Sequence, residues 1–237
     1  MEQKVAAVVG VGPGLGAAVA RRFARGGFAV GLMARGAEKI TPVQKDIERA
    51  GGIALSIPAD ATDPDSVAAA FAQLRQQLGD SDVFVYNAGA FEMSGVLDIS
   101  PEQFEQCWRA NCFGGFLGAK EVLPPMLARH RGTIIFTGAT ASLRGSARFA
   151  CLAVGKFGLR ALAQSLAREF GRDGIHVAHV VIDGMIDTPR IRSLAPDRDA
   201  NVLLSPEAVA EAYWQLHTQE RSAWSLEVDL RPAVEKF

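Results

Sequence analysis

The stretch Val5-Ala6-Ala7-Val8-Val9-Gly10-Val11-Gly12-Pro13-Gly14-Leu15-Gly16 decides the fold of this chain. Its first half is a continuous apolar run, which is typical of a parallel strand buried on both faces. The glycines that follow open a helical segment that runs from Leu15 to Arg25. Glycines permit a tight turn and let backbone N–H groups approach a pyrophosphate at the positive end of a helix. The stretch predicts a dinucleotide-binding turn, although glycines also close ordinary strand–helix turns.

Apolar runs alternate with amphipathic helical segments along the rest of the chain. Further strands are predicted over 29–33, 53–57, 83–86, 133–137, 176–182 and 225–229, and further helices over 37–50, 64–78, 101–129, 152–170 and 206–217. Repeated β–α units imply right-handed crossovers. We therefore expect an α/β fold in which 1–237 form a single domain. The expected architecture is a Rossmann-type doubly wound parallel sheet of about seven strands with helices on both faces. In such folds, ligands bind beyond the carboxyl ends of the strands.

Composition and charge exclude several classes of protein. With 49% hydrophobic residues the chain is too apolar for a disordered segment, and its net charge of −1 creates no field that favours nucleic acid or an anionic membrane. The longest uncharged stretch, 5–20, is broken by glycines and is short for a membrane span. Cys107, Cys112 and Cys151 are an odd number without CxxC spacing, which indicates reduced thiols. We expect a cytoplasmic protein without a nucleic-acid partner, membrane partner or metal site.

Two positions after the second and third strands bear on the cofactor. The second strand ends in Met33-Ala34-Arg35, without the acidic residue that would bond a ribose 2′-hydroxyl. Arg35 can instead pair with a 2′-phosphate, which favours NADP over NAD, or it is a solvated arginine at a helix start. Asp60 could accept a hydrogen bond from an adenine amino group, or it caps the following turn.

Several motifs occur in the order of a known family, and the sequence resembles the short-chain dehydrogenase/reductase family over essentially its whole length. The matching segments are Gly10, Gly14 and Gly16 (the glycine motif), Asp60, Tyr86-Asn87-Ala88-Gly89 (NNAG), Asn111-Cys112-Phe113-Gly114 (NxxG), Lys156 (the lysine of YxxxK) and Gly184-Met185-Ile186-Asp187-Thr188. In the family this last segment holds the nicotinamide carboxamide.

The resemblance implies an NAD(P)-dependent oxidoreductase that acts on a small molecule. It implies that the cofactor is bound by Gly10, Gly12, Gly14, Leu15, Gly16, Arg35, Asp60, Ala61, Asn87, Ala88, Gly89, Lys156, Gly184, Ile186 and Thr188. Asn111 and Lys156 are the catalytic residues that remain: Asn111 would position water or the lysine, and Lys156 would hold the nicotinamide ribose. Family members use the long helix over 152–170 for subunit contacts, so a homodimer or homotetramer is expected.

The departures from the family concern catalysis. Leu152 stands where the family has its proton-transferring tyrosine, Ala139 stands where it has a serine, and the only tyrosines, Tyr86 and Tyr213, are not near that loop. A general acid contributes about 10²–10⁴ in rate. We expect retained cofactor binding with weakened carbonyl reduction; an iminium or activated alkene would suffer less. The alternative is an NADP(H)-binding sensor or structural protein without catalysis.

Two arginines lie between the serine and tyrosine positions. In the family this loop lines the substrate pocket, so Arg144 and Arg148 could bind the carboxylate or phosphate of a substrate. The alternative is that both are ordinary surface charges.

Overall fold

A computed structural model describes residues 3–194, 196–197 and 199–234, and its centre is a parallel β-sheet. The strands in chain order are β1 (Val5–Val9), β2 (Ala29–Ala34), β3 (Ile53–Pro58), β4 (Val83–Tyr86), β5 (Gly132–Thr137), β6 (Ile175–Ile182), β7 (Met185–Ile186), β8 (Leu203–Leu204) and β9 (Glu227–Leu230). Seven of them form one sheet in the order β3-β2-β1-β4-β5-β6-β9, while β7 and β8 pair with each other. The prediction of a doubly wound parallel sheet of about seven strands is confirmed.

Helices cover both faces of the sheet. They are α1 (Leu15–Arg25), α2 (Ala37–Arg49), α3 (Pro64–Gln77), α4 (Pro101–Trp108), α5 (Gly114–Ala128), α6 (Ala150–Phe170), α7 (Pro189–Leu194) and α8 (Pro206–His217). None of these helices, within the part of the chain that the structure describes, has the length and apolarity to cross a bilayer. The short elements α7, β7 and β8 were not predicted, because two-residue strands and a six-residue helix leave too little pattern.

Two apolar layers flank the sheet. The layer of α1 and α8 contains Phe23 and Tyr213, and the layer of α3, α5 and α6 contains Phe84 and Phe136; all four side chains are fully buried. Every residue of β1, β4, β5 and β6 is buried, as expected for strands covered on both faces. The strand order reverses between β1 and β4, so a crevice opens beyond their carboxyl ends, where open α/β sheets bind ligands.

The segment predicted as one helix over 101–129 is helical from 101 to 128, but it contains a π-helical segment that the sequence did not predict. Ser100 begins α4 with a capping box to Gln103, but five residues with π-helical geometry, Arg109–Phe113, separate α4 from α5. Two backbone carbonyls, one in this stretch and one in the last turn of α4, accept side-chain hydrogens. The Ala110 carbonyl accepts one from the Tyr86 hydroxyl at 2.8 Å, and the Cys107 carbonyl accepts one from the Asn111 amide at 3.0 Å. π-helical turns of this kind are frequent at functional sites.

Candidate active site

The glycine turn after β1 packs tightly against the end of β4. Gly10 has a φ of +91°, and a Cβ added there would lie 2.3 Å from the backbone nitrogen of Ala88. A Cβ added at Gly16 would lie 2.5 Å from the carbonyl oxygen of Gly10. Both positions therefore require glycine, which brings the backbone of Ala88 and the start of α1 onto the same small turn.

The N-terminus of α1 is open for a ligand. Gly14 is its N-cap residue and provides no side-chain hydrogen bond, and the first turn contains no acidic residue. The first N–H groups of a helix have no intrahelical partner, so this end carries partial positive charge. A Cβ added at Gly12 would meet nothing within 4 Å, whereas one added at Gly14 would lie 2.6 Å from the methyl group of Thr188. The turn is thus an uncapped cradle whose partial positive charge suits a pyrophosphate.

A chain of hydrogen bonds holds the glycine turn from behind. The Tyr213 hydroxyl lies 2.8 Å from the Thr137 hydroxyl, which donates to Asn87 Oδ1 at 3.2 Å. Asn87 Nδ2 in turn donates to the carbonyl oxygen of Gly10 at 2.9 Å. Because the proton of Thr137 goes to Asn87, Tyr213 must be the donor to Thr137. Asn87, which the sequence analysis assigned to cofactor binding, therefore orients the turn.

Asn111 and Lys156 converge on the backbone of Gly89. A Cβ added at Gly89 would lie 2.8 Å from Asn111 Oδ1 and 3.6 Å from Lys156 Nζ. Lys156 Nζ donates to the Thr137 carbonyl at 2.7 Å, and burial lowers the pKa of this amine to about 8. Asn111 is fully buried with Oδ1 unpaired, while its Nδ2 donates to the carbonyl oxygens of Ala90 and Cys107. An unpaired acceptor beside an ammonium group can hold a water molecule or a ligand hydroxyl.

Leu152 and Ala139, where the sequence analysis expected departures from the family motif, carry no polar side-chain atom. Leu152 lies in the first two turns of α6, one turn before Lys156, and is half-buried. Ala139 follows β5 and Gly138, and its N–H donates to the Ser142 hydroxyl at 3.1 Å. The side chains at both positions are therefore hydrocarbon.

Both tyrosines are close to the site in space, which the sequence analysis did not expect. Tyr86 bonds the carbonyl next to Asn111, and Tyr213 bonds Thr137, which directly precedes the loop with Ala139. Neither can act on a substrate, however, because both are fully buried and burial raises the pKa of each phenol well above its usual range. The two tyrosines support the site through hydrogen bonds and do not act as its general acid.

The structure assigns a role to Asp60, which follows β3, and leaves Arg35, which follows β2, available to a ligand. Asp60 Oδ1 accepts hydrogens from the N–H of Thr62 at 2.9 Å and from its hydroxyl at 2.8 Å, so it caps the turn that contains Ala61. Arg35 is exposed at the end of β2 and makes no ion pair with any residue in the described part of the chain. Its guanidinium is therefore available to a ligand.

The segment after β6 carries a buried carboxylate whose role the sequence analysis missed. Asp183 Oδ1 accepts a hydrogen from the Thr140 hydroxyl at 2.5 Å, and Arg231 lies 3.6 Å from Oδ2. Asp183 thus ties the end of β6 to the loop after β5. Gly184 has a φ of +148° and turns the chain into β7, which contains Ile186. The signal was an acidic residue directly after a fully buried strand, where an ionised carboxylate needs a hydrogen-bond or charge partner.

Arg144 and Arg148 lie on the exposed loop between β5 and α6. Arg148 has a φ of +68°, and its carbonyl accepts the N–H of Ser94 at 3.0 Å, so the loops after β4 and β5 are joined. The guanidinium groups of both arginines make no ion pair within the described residues.

Comparison with known proteins adds to this geometry. A family model described as short chain dehydrogenase matches residues 4–199. The 3-oxoacyl-(acyl-carrier-protein) reductase FabG of Escherichia coli (strain K12) is 32% identical over 205 residues, which are 85% of this chain and 81% of that protein. The crystal structure of a short-chain dehydrogenase from Rhodopseudomonas palustris is 40% identical with a TM-score of 0.84, covering 97% of this chain and 98% of that one. A metagenomic short-chain oxidoreductase in complex with NADP is 29% identical with a TM-score of 0.85, covering 98% of each chain.

Proposed function

Because this chain belongs to the short-chain dehydrogenase family, we propose that it is an NADP-preferring oxidoreductase acting on a small molecule without the tyrosine and serine of the family motif. The observation that carries the proposal is the uncapped N-terminus of α1 beneath the open space at Gly12. The NADP held by the metagenomic relative supports the same assignment.

The chain provides groups for each part of the cofactor. Backbone N–H groups of the turn would take the pyrophosphate; the residues are Gly10, Gly12, Gly14, Leu15 and Gly16. Asp60, through the carboxylate oxygen that does not cap the turn, and Ala61 would contact the adenine. The turn of Asn87, Ala88 and Gly89 would form the floor of the cleft. Lys156 would hold the nicotinamide ribose, and Gly184, Ile186 and Thr188 would hold the carboxamide. When bound, the nicotinamide supplies or accepts a hydride. The contact between Gly14 and Thr188 supports a single binding cleft for these groups.

Arg35 decides the preference for NADP over NAD. We expect Arg35→Ala to weaken NADPH binding about 10-fold to 100-fold and to leave NADH binding unchanged, since a charge-assisted hydrogen bond is worth about 1.5–3 kcal/mol. Calorimetric titration of both coenzymes measures this. Lys39→Ala, another exposed cation on the first turn of α2, is the control and should change neither affinity. Equal losses for NADPH and NADH in Arg35→Ala would contradict the assignment, and failure of the unmodified chain to bind either coenzyme would refute the proposed function.

Asn111 and Lys156 are the polar groups left for catalysis. With a pKa of about 8, Lys156 is a mixture of ammonium and amine near neutral pH, so it can hold a ribose hydroxyl and exchange a proton with it. The unpaired Oδ1 of Asn111 would accept a hydrogen from a water molecule placed between the two side chains. No hydroxyl at 139 or 152 can protonate a substrate oxygen, which raises the barrier for carbonyl reduction by roughly 3–5 kcal/mol. Substrates such as iminium ions and activated alkenes need no proton on oxygen in the same step and are favoured.

The alternative function is an NADP(H)-binding sensor or structural protein without catalysis. Leu152 and Ala139 are the observation in its favour, because both hydroxyls of the family motif are absent. A panel of ketones, imines and enones, followed by the absorbance of NADPH, separates the two functions. Turnover of any class above the rate without protein supports the oxidoreductase, whereas NADPH binding without any turnover supports the sensor.

An exposed aromatic face across α4, α5 and α6 supports a homodimer or homotetramer. Trp108 stacks on Phe113 at 5.5 Å between ring centroids, Phe113 stacks on Phe116 at 6.1 Å, and Phe157 on α6 is 41% exposed. A patch of this kind on a folded chain indicates a protein contact, and its continuation onto the long helix fits the subunit contacts of the family.

Phe157→Glu is expected to shift the assembly to monomers. An unpaired carboxylate buried in a contact costs about 3–5 kcal/mol, so dissociation should become at least about 100-fold more favourable. Light scattering coupled to size exclusion measures the mass. Ile53→Glu, at the exposed start of the edge strand β3, should leave the mass unchanged. A monomeric unmodified chain, or a Phe157→Glu variant of unchanged mass, would contradict this contact.

A further inference from the structure

Exposed apolar side chains surround the mouth of the crevice. Phe91 and Met93 follow β4, Leu143 follows β5 and Met185 follows β6, and they are exposed by 61%, 51%, 40% and 45%. The three strands are neighbours in the sheet, so their loops border the same crevice. The Phe91 ring also packs edge-to-face on Phe149 at 5.7 Å, which brings the first two loops together. Large apolar side chains gathered on a soluble surface mark a binding groove.

The apolar surface extends inward from this rim. Leu152 on α6 and Ala139 after β5 are the residues that bring hydrocarbon to the neighbourhood of Lys156. In this inner part the polar side chains of Lys156 and Asn111 are both buried. A substrate body that reached Lys156 would therefore contact hydrocarbon along most of its length.

The rim also carries uncompensated positive charge. Arg144 and Arg148 are exposed on the same loop as Leu143 and have no carboxylate partner within the described residues. Arg192, beyond β7, is by contrast paired with Asp187 through two bonds of 2.6 Å. Glu92, on the facing loop, makes no ion pair with either arginine within the described residues. Two free guanidinium groups can bind a carboxylate or a phosphate ester through paired hydrogen bonds.

We propose that the crevice takes an elongated apolar molecule with one anionic head group, its hydrocarbon body directed toward Lys156 and its head group bound by Arg144 and Arg148. This assignment rests on the proposed function, because it places the substrate in the cleft beside the nicotinamide. The apolar body would cover the exposed side chains around the mouth of the crevice, which are those of Phe91, Met93, Leu143 and Met185. The anionic head group would pair with the two arginines.

Binding of simple amphiphiles to the NADPH-saturated protein tests the proposal. Hexanoate, octanoate and decanoate, each below its critical micelle concentration, should bind with affinity that rises roughly fourfold per added methylene. Decanoate and decyl phosphate should each bind about 10-fold or more tightly than decanol, because only they engage the arginines; the tighter of the two identifies the head group. The double variant Arg144→Ala with Arg148→Ala should abolish this advantage of the anions and leave decanol binding unchanged. Arg172→Ala, an exposed arginine beyond the far end of α6, is the matched control.

The outcomes separate this inference from the proposed function. Calorimetry of NADPH alone reports on the proposed function. If NADPH does not bind, the same alkanoate series on the free protein still tests the apolar groove and the arginines. The inference is overturned if affinity does not depend on chain length, if decanol binds as tightly as decanoate, or if the double arginine variant retains the preference for anions.

Discussion

The double variant Leu152→Tyr with Ala139→Ser is expected to reduce a simple ketone about 100-fold to 10,000-fold faster than the unmodified chain at saturating NADPH. Position 152 lies one helical turn before Lys156, so a tyrosine there would lie next to an ammonium group that lowers the pKa of its phenol. Position 139 begins the loop after β5 and would supply a hydroxyl to the same substrate oxygen. Asn111 and Lys156 are already in place.

The steady-state rate with a ketone substrate, measured across pH, checks this expectation. The rate of the double variant should depend on the coupled ionisations of the introduced tyrosine and Lys156. Leu152→Phe with Ala139→Ser, which fills the same space without the phenol, should show no gain. Calorimetric binding of NADPH should be equal in all three proteins. A double variant that binds NADPH normally and gains no ketone reduction would show that the remaining site is not arranged for carbonyl chemistry.

Gly12→Val is expected to abolish cofactor binding without destabilising the fold. The position has room for a side chain, since an added Cβ meets nothing within 4 Å and its φ lies outside the left-handed region. The new side chain would fill the space above the N-terminus of α1. Loss of two or more charge-assisted hydrogen bonds, each worth about 1.5–3 kcal/mol, should weaken NADPH binding at least about 100-fold. NADPH fluorescence measures the affinity, and the Tm should be unchanged.

Gly16→Val is the contrasting variant. Its Cβ would lie 2.5 Å from the carbonyl oxygen of Gly10, so the turn must open. Overpacking of this kind costs about 1–3 kcal/mol, which lowers the Tm of a domain of this size by roughly 2–12 °C. The affinity of Gly16→Val for NADPH should also fall, but in this variant the folded protein is destabilised as well. Normal NADPH binding by Gly12→Val would refute the placement of the pyrophosphate.

The pattern of strands and helices could be predicted because strands that are buried on both faces of the sheet appear in the sequence as continuous apolar runs. β1, β4, α1 and α8 have the bounds that their apolar periodicity predicts, and the parallel order follows from the β–α alternation. The π-helical segment between α4 and α5 could not be predicted. A carbonyl in it accepts a hydrogen bond from the Tyr86 hydroxyl, 24 residues away in the sequence, and periodicity within a helix contains no such contact.

The site shows the same division. Motif spacing predicts Gly10, Gly16, Asn87, Asn111 and Lys156 as site residues, and the structure brings them close together. The contributions of Thr137, Asp183 and Tyr213 depend on strands and helices that meet only in the folded chain. Sequence alone could not choose between the two roles of Asp60, because capping a turn and contacting a ligand use the same side-chain type in the same loop.

The donor chain from Tyr213 to Gly10 has a consequence for random mutagenesis of this protein. Tyr213 lies on α8, on the face of the sheet opposite Lys156. Through Thr137 and Asn87, its hydroxyl helps to fix the orientation of the Gly10 carbonyl. A library selected only for coenzyme capture would therefore enrich or deplete codons of α8 as well as those of the cleft. Such sensitivity at a side chain that does not touch the coenzyme would act through the orientation of the hydrogen-bonded groups and would require no movement of the backbone.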